Sequence, residues 1–188
     1  VANYDKRMIK RLKIELRFLP KGPKTLIDVG TGTAQLLIQL ARDPAFQEFS
    51  FVGTDYFEDM VSKARETVGK EDLSQRIQID QNDVHDLPYP DEFAYVVVSR
   101  STIHHWAEPA KALSEIYRIL KPGGVAVIHE PRRDPHPKAL EGFNRQREEL
   151  GVPPAALDEK YTPAMAADAA TAEQDFPTPL LASTSGAP

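Results

Sequence analysis

The chain has 188 residues, a length that fits one domain with its own hydrophobic core. Its hydrophobic fraction of 41% and charged fraction of 27% are typical of an ordinary globular protein. The lack of cysteine excludes disulfides, thiolate metal sites and a cysteine nucleophile. A net charge of −5 disfavours nucleic acid as the main partner, because phosphate binding relies on a basic surface. Apolar runs are too short for a membrane span, and we expect a cytoplasmic protein.

Short β-rich runs alternate with helix-patterned segments, which predicts a parallel sheet with helices on both faces. We expect this β-α alternation five times over, with right-handed crossovers. The fold class is therefore α/β, a Rossmann-like, doubly wound, mostly parallel sheet of at least five strands. The predicted strands are 25–29, 49–53, 76–79, 95–98 and 125–128, and the predicted helices are 4–18, 34–42, 57–68, ended by Gly69, and 109–120.

Three regions follow from this pattern: an N-terminal helix and linker over 1–24, an α/β core over 25–130, and an extension over 131–188. Positions 6–24 hold eight basic residues against one acid, Glu15. One interpretation is a contact for an anionic substrate or RNA. The favoured one is the solvated face of an amphipathic helix, because apolar residues recur there at helical spacing. These are Ile9, Leu12, Leu16 and Leu19.

A glycine turn, Asp28-Val29-Gly30-Thr31-Gly32-Thr33-Ala34, follows the first strand. Ligands of open α/β sheets bind at the carboxyl ends of the strands, and Gly30 and Gly32 let the backbone approach one closely. A dinucleotide motif would place a third glycine at position 35, which is Gln35. Asp28 would repel a pyrophosphate but can pair with an amine. The turn therefore indicates a ligand that carries an ammonium group.

Two more acids end predicted strands. Asp55 follows the second strand, at a spacing suited to accepting hydrogen bonds from both hydroxyls of a ribose. Asp83 ends the third strand, where the alternative is a turn rich in Asx residues before a proline.

These blocks resemble class I S-adenosylmethionine-dependent methyltransferases. The glycine turn is similar to their D-x-G-x-G-x-G motif, with Ala34 in place of the third glycine. Residues 82–89 are similar to the family's G-D-A-x-x-L-P-F segment. Residues 99–106, with their paired histidines, and the turn over 118–124 resemble the type 11 branch, which includes ubiquinone and menaquinone biosynthesis enzymes. The blocks lie in the right order across residues 25–130.

The resemblance implies S-adenosylmethionine as cofactor, S-adenosylhomocysteine as product, and methyl transfer to a small molecule. Asp28 then reaches the methionine amino group, directly or through water, and the glycines flank the methionine part. Asp55 binds the ribose, Tyr56 and Met60 cover the adenine ring, and Asp83 with the Val84 N–H binds its edge. The predicted cofactor residues are Asp28, Gly30, Thr31, Gly32, Asp55, Tyr56, Met60, Asp83, Val84 and Ser99.

His104 and His105, after the fourth strand, are the candidate general bases, needed only if the acceptor arrives protonated. The alternative is that one or both cap the next helix or fill the wall beside Trp106. His129 and Glu130 are further candidates for the substrate rim. We predict no metal site, because adjacent histidines point in different directions and no i, i+4 pair supports one. A second candidate function is a cofactor-binding protein or partner subunit without methyl transfer.

The resemblance also implies a C-terminal β6–β7 hairpin, yet residues 131–188 show no convincing pair of strands. We expect polar and alanine-rich helices over 138–150 and 163–173, then a tail. Three explanations fit this pattern: a natural variant that lacks the hairpin, a truncated or frame-shifted end, or a segment that a partner subunit completes. An uncovered sheet edge favours pairing with another chain. We therefore expect a homodimer in which the C-terminal segment packs across the neighbour.

Overall fold

The computed structural model describes residues 2–130, together with Arg145 and Glu148, which are both helical. Apart from those two positions, the predicted helices over 138–150 and 163–173 and the tail lie outside the described residues. The expected lack of a β6–β7 hairpin lies outside them too.

The α/β fold class is confirmed. Every strand and helix predicted within residues 2–130 is present, with ends that differ by a few residues. The strands are β1 (Lys24–Val29), β2 (Phe49–Asp55), β3 (Ile77–Gln81), β4 (Ala94–Arg100) and β5 (Leu120–His129). The α-helices are α1 (Ala2–Glu15), α2 (Gln35–Arg42), α3 (Glu58–Lys70) and α4 (Pro109–Ile119), and short 3-10 turns cover Leu16–Phe18, Pro44–Phe46 and Ile103–His105.

The sheet has the order β3-β2-β1-β4-β5, and neighbouring strands are parallel throughout. The chain leaves β1 toward β2 and β3 on one side and returns to β4 and β5 on the other. The order therefore reverses between β1 and β4, and a crevice opens outside the carboxyl ends of these strands.

Helices cover both faces of the sheet. Side chains of α1, α2 and α3 pack on one face, and those of α4 pack on the other. In α1 the buried stripe consists of Met8 and Leu12, with Ile9 partly buried beside them. Of the eight basic residues in positions 6–24, only Lys24 is buried, as a solvated helix face requires. Among the described helices, none has the length and apolar content to cross a membrane.

Two sequence predictions were wrong in detail. The β-α alternation breaks between β3 and β4, where residues 82–93 contain no helix; Pro88 and Pro90 interrupt this connection. The α3 helix also continues through Gly69. It ends in a Schellman motif, in which Leu73 N–H donates to Val68 O and Asp72 takes the left-handed conformation with φ of 56°. Aspartate tolerates this conformation better than most residues, so no glycine was needed there.

Candidate functional site

A cavity of about 910 Å³ opens at the carboxyl ends of the strands. Its wall combines the turn after β1, the loops after β2 and β3, the end of β4 and the start of α4. This is the crevice in which open α/β sheets hold their ligands, and its volume is within the range of small-molecule sites.

Most of the predicted site residues come together here. Nine of the twelve line the cavity: Gly30, Thr31, Gly32, Asp55, Tyr56, Met60, Asp83, Val84 and His105. The other three, Asp28, Ser99 and His104, are not part of the wall.

The Asp55 carboxylate connects the turn after β1 to the loop after β2. Its Oδ2 accepts a hydrogen bond from the Gly32 N–H at 2.9 Å, and its Oδ1 accepts one from the Phe57 N–H at 3.1 Å. The residue is 8% exposed and lies on the cavity wall. Because a carboxylate oxygen has two lone pairs, each oxygen keeps one acceptor site for a further donor. Asp55 can therefore hold the glycine turn and bind hydroxyl groups at once.

Asp28 lies behind this turn. Its Oδ2 accepts a hydrogen bond from the Thr31 hydroxyl at 2.9 Å, and its buried Oδ1 has no partner among the described residues. Burial raises the pKa of Asp28 to about 7, and the charges of Asp5 and Asp55 add to the rise. The Thr31 hydrogen bond and Arg100 oppose it. An oxygen lacking a donor at the base of the turn fits a ligand amine, reached through water or a small shift.

The raised pKa of Asp28 predicts that stability falls as pH rises. The folded protein holds the Asp28 proton up to about pH 7, whereas the unfolded chain releases it near 3.8. The free energy of unfolding should fall by about 2 kcal/mol from pH 5.5 to pH 8 on account of this group. Asp28→Asn should flatten that part of the pH profile in urea unfolding at the two pH values. Identical profiles for wild type and variant would rule out the buried titration.

Asp83 forms a pair with His85 on the cavity wall. Its Oδ1 accepts hydrogen bonds from the His85 N–H at 2.9 Å and from the His85 Nδ1 at 2.5 Å. These bonds, the backbone one first, hold the pKa of Asp83 below its usual value, so its carboxylate is ready to accept a donor. Sequence reasoning missed His85, although its position two residues after Asp83, within an Asx turn, was an available signal.

On the side of the cavity that follows β4, some residues line the cavity and others lie behind the residues that line it. The Ser99 hydroxyl is buried and lies 2.5 Å from the Thr102 Oγ1, and Thr102 lines the cavity. His104 pairs through Nδ1 with Glu130, whose other oxygen accepts from the Ile103 N–H at 3.3 Å. Both histidines sit on the 3-10 turn, and the N-cap residue of α4 is Glu108, so neither caps that helix.

His105 reaches the cavity while His104 supports it from behind, with ring centroids 4.0 Å apart. Within the part of the chain that the structure describes, no group of three His, Asp or Glu side chains is arranged to hold a metal ion.

Sequence reasoning also missed a link between α1 and the cavity. Arg100, on the wall, pairs with Asp5, which is 1% exposed and also accepts from Gln39 Nε2 at 2.7 Å. The two ends of this pair lie 95 residues apart in sequence, so no local pattern indicates it.

Comparison with known proteins shows to which family the chain belongs. A methyltransferase domain model matches residues 27–128, more than half of the chain. The chain is 35% identical to a demethylmenaquinone methyltransferase of Bacteroides fragilis over 111 residues, 59% of this chain and 44% of that protein. It is 28% identical to a 27-O-demethylrifamycin SV methyltransferase of Amycolatopsis mediterranei, over 71% of this chain and 49% of that one. The chain thus spans about half the length of these relatives or less.

Solved structures agree. A SAM-dependent methyltransferase from Aquifex aeolicus is 25% identical, with a TM-score of 0.56 over 77% of this chain and 87% of that one. The 4+2 cyclase SpnF is 32% identical, with a TM-score of 0.56 over 64% of this chain and 44% of that one. With its glycine turn, strand-end acids and matched domain, the chain belongs to the class I S-adenosylmethionine-dependent methyltransferases, whose cofactor is S-adenosylmethionine and whose product is S-adenosylhomocysteine.

Proposed function

We propose that this chain binds S-adenosylmethionine in the cavity and transfers the methyl group to a small molecule by in-line displacement. One observation carries the proposal. The glycine turn, Asp55 and Asp83 follow or end three adjacent strands, β1, β2 and β3, and all line the same cavity. The residues fit such a ligand. A Cβ at Gly32 would meet nothing within 4 Å, so the turn presents open space, and Asp28 keeps a buried acceptor beneath it.

The cofactor would lie across the three strand ends. Gly30, Thr31 and Gly32 would line its methionine part, with Asp28 acting from behind through Thr31 or water. Asp55 would accept the ribose hydroxyls with its remaining lone pairs. Asp83 and the Val84 N–H would bind the adenine edge, and Tyr56 and Met60 would cover the ring. Ser99 would act through Thr102.

The sulfonium supplies an already activated methyl group, so the protein's tasks are to align the acceptor and exclude water. The acceptor side of the cavity would be the wall around Thr102, His105 and Trp106. His105 would accept a proton from an acceptor that arrives protonated. The Glu130–His104 pair would hold the His105 ring in place from behind.

His105→Ala is expected to slow methyl transfer by about 100-fold or more, the usual contribution of a general base. His104→Ala should also slow transfer, but less, because this ring supports the wall rather than forming it. Cofactor affinity, measured by calorimetry, should stay unchanged in both variants. Rates equal to wild type in both variants would show that neither histidine contributes to methyl transfer.

The proposal is tested by incubating the protein with methyl-labelled S-adenosylmethionine and an acceptor panel. The names of the relatives supply the panel: a demethylmenaquinone analogue, a demethylrifamycin and arsenite, the last from an arsenite methyltransferase of Halobacterium salinarum. The expected result is labelled product and S-adenosylhomocysteine in equal amounts with at least one acceptor. The Asp55→Ala variant, in which cofactor binding should be weakened, serves as the control.

A second candidate is a cofactor-binding protein of the same fold that does not transfer methyl groups. It is favoured by the likeness to SpnF, which is named for a cyclisation. Cofactor binding with no transfer to any acceptor of the panel would favour this candidate.

We further propose that residues 25–130 form the cofactor-binding unit and that the protein is a homodimer joined through its C-terminal segment. In the described sheet β5 is an edge strand, and most of its residues are only partly buried, which leaves a surface for another chain. Sedimentation at micromolar concentration should give a dimer. A monomeric mass with full cofactor affinity would contradict this.

A further inference from the structure

His85 connects the two sides of the cavity. Its Nδ1 lies 2.5 Å from Asp83 Oδ1, on the loop after β3, and its Nε2 accepts a hydrogen bond from the Glu108 N–H at 3.1 Å. Asp83, His85 and Glu108 all line the cavity. The imidazole therefore spans the gap between the loop proposed to bind adenine and the residue before α4.

The partners of His85 select the tautomer of its neutral ring. A backbone N–H can only donate, so the Nε2 that faces Glu108 must be unprotonated. The proton of the neutral ring then lies on Nδ1, where it is donated to the Asp83 carboxylate. This is the tautomer that free histidine populates less, so the two contacts together select it.

We propose that His85 is a positioning residue that holds Asp83 in place and couples the adenine end of the cavity to Glu108, which connects the acceptor side of the cavity to α4. The proposal rests on the proposed function, because it assigns Asp83 to the cofactor. Lys111, which also faces Asp83 from α4, adds attraction across the same gap but offers no second hydrogen bond to the loop.

The fold does not depend on this bridge. The same loop is anchored to α4 further along, where Arg118 donates to the carbonyls of Leu87 and Tyr89 at 2.9 and 2.8 Å. The Leu87 N–H also donates to Glu115 at 2.9 Å. Removing the His85 side chain therefore leaves the loop attached and changes mainly the local position of Asp83 and Glu108.

Two isosteric variants separate the two contacts. In His85→Asn the amide nitrogen replaces Nδ1 and keeps the donor to Asp83, but nothing reaches Glu108. In His85→Gln the amide oxygen replaces Nε2 and keeps the acceptor for Glu108, but the donor to Asp83 is lost. The readouts are S-adenosylhomocysteine affinity by calorimetry, exchange of the Glu108 amide proton by NMR, and thermal unfolding.

We expect His85→Gln to weaken S-adenosylhomocysteine binding about fivefold, the scale of one hydrogen bond, with Glu108 exchange near that of wild type. His85→Asn should bind the ligand nearly as wild type does but exchange the Glu108 amide faster. Unfolding midpoints should be close to wild type in both. In the wild type, nitrogen NMR of the ring should show the Nδ1–H tautomer.

Equal affinities and equal Glu108 exchange in both variants, or an Nε2–H tautomer, would overturn the proposal while wild-type binding stands. Failure of the wild type itself to bind S-adenosylhomocysteine would instead refute the proposed function. If a variant unfolds early, the ring tautomer and Glu108 exchange of the wild type still decide the matter.

Discussion

Gly30→Ala is expected to destabilise the protein by about 2 to 4 kcal/mol and to abolish binding of S-adenosylhomocysteine. A Cβ at this position would lie 2.3 Å from the Thr102 Cγ2 and 2.8 Å from its Cβ, too close for either atom to stay in place. The backbone also has φ of 73°, which costs an L-residue about 1 kcal/mol beyond the overpacking. Urea unfolding and calorimetric titration measure the two effects.

Gly32→Ala is the matched control. Its φ of 56° is similarly left-handed, but a Cβ there meets no atom within 4 Å. We expect a loss of only about 1 kcal/mol in stability together with a clear loss of ligand affinity, since the methyl group would point into the cavity. Combining Gly30→Ala with Thr102→Gly should recover much of the lost stability. A Gly30→Ala protein as stable as wild type would contradict the close packing of Thr102 against Gly30.

Asp55→Ala should weaken S-adenosylhomocysteine binding by about 1.5 to 3 kcal/mol, the scale for hydrogen bonds to a charged group. The structure adds a second reason for this loss. The same carboxylate holds the Gly32 and Phe57 amides, so its removal also loosens the turn that would line the methionine part. Asp55→Asn keeps one acceptor oxygen, so its affinity for S-adenosylhomocysteine should lie between those of wild type and Asp55→Ala.

Asp43→Ala is the matched control for Asp55. The Asp43 carboxylate likewise accepts from the amide two residues on, Ala45, at 3.0 Å, but it is not part of the cavity wall. Asp43→Ala should cost stability, by about 1 kcal/mol, and leave ligand affinity unchanged. Unchanged affinity in Asp55→Ala would remove Asp55 from the site.

The sheet and the general location of the site could be predicted because their signals are local. Buried parallel strands are continuous apolar runs, and the acids that end them fall at one edge of the sheet. Asp55 and Asp83 were found in this way. The hydrogen bond from the Gly32 N–H to Asp55, between residues 23 positions apart, follows from the fold and not from either segment alone.

Other features depend on side-chain direction or on distant partners, which a linear pattern does not contain. Asp28 and Ser99 lie near strand ends and His104 lies on the turn after β4, yet none of the three is part of the cavity wall. Position along the chain does not by itself fix which side chain reaches the cavity. The link of Arg100 to Asp5 and that of His85 to Glu108 join separate elements. The end of α3 was predicted at Gly69, but the helix continues to Lys70 and the left-handed residue after it is Asp72, because glycine is only the commonest residue at such a position.

Calorimetric titration with S-adenosylmethionine and S-adenosylhomocysteine, beside a nicotinamide dinucleotide as control, tests most directly whether the cavity is an adenosyl-cofactor site. We predict saturable binding of both adenosyl ligands at one site per chain and no binding of the dinucleotide, because Gln35 stands where a dinucleotide motif has its third glycine. No binding of either adenosyl ligand by folded protein, or tighter binding of the dinucleotide, would contradict it.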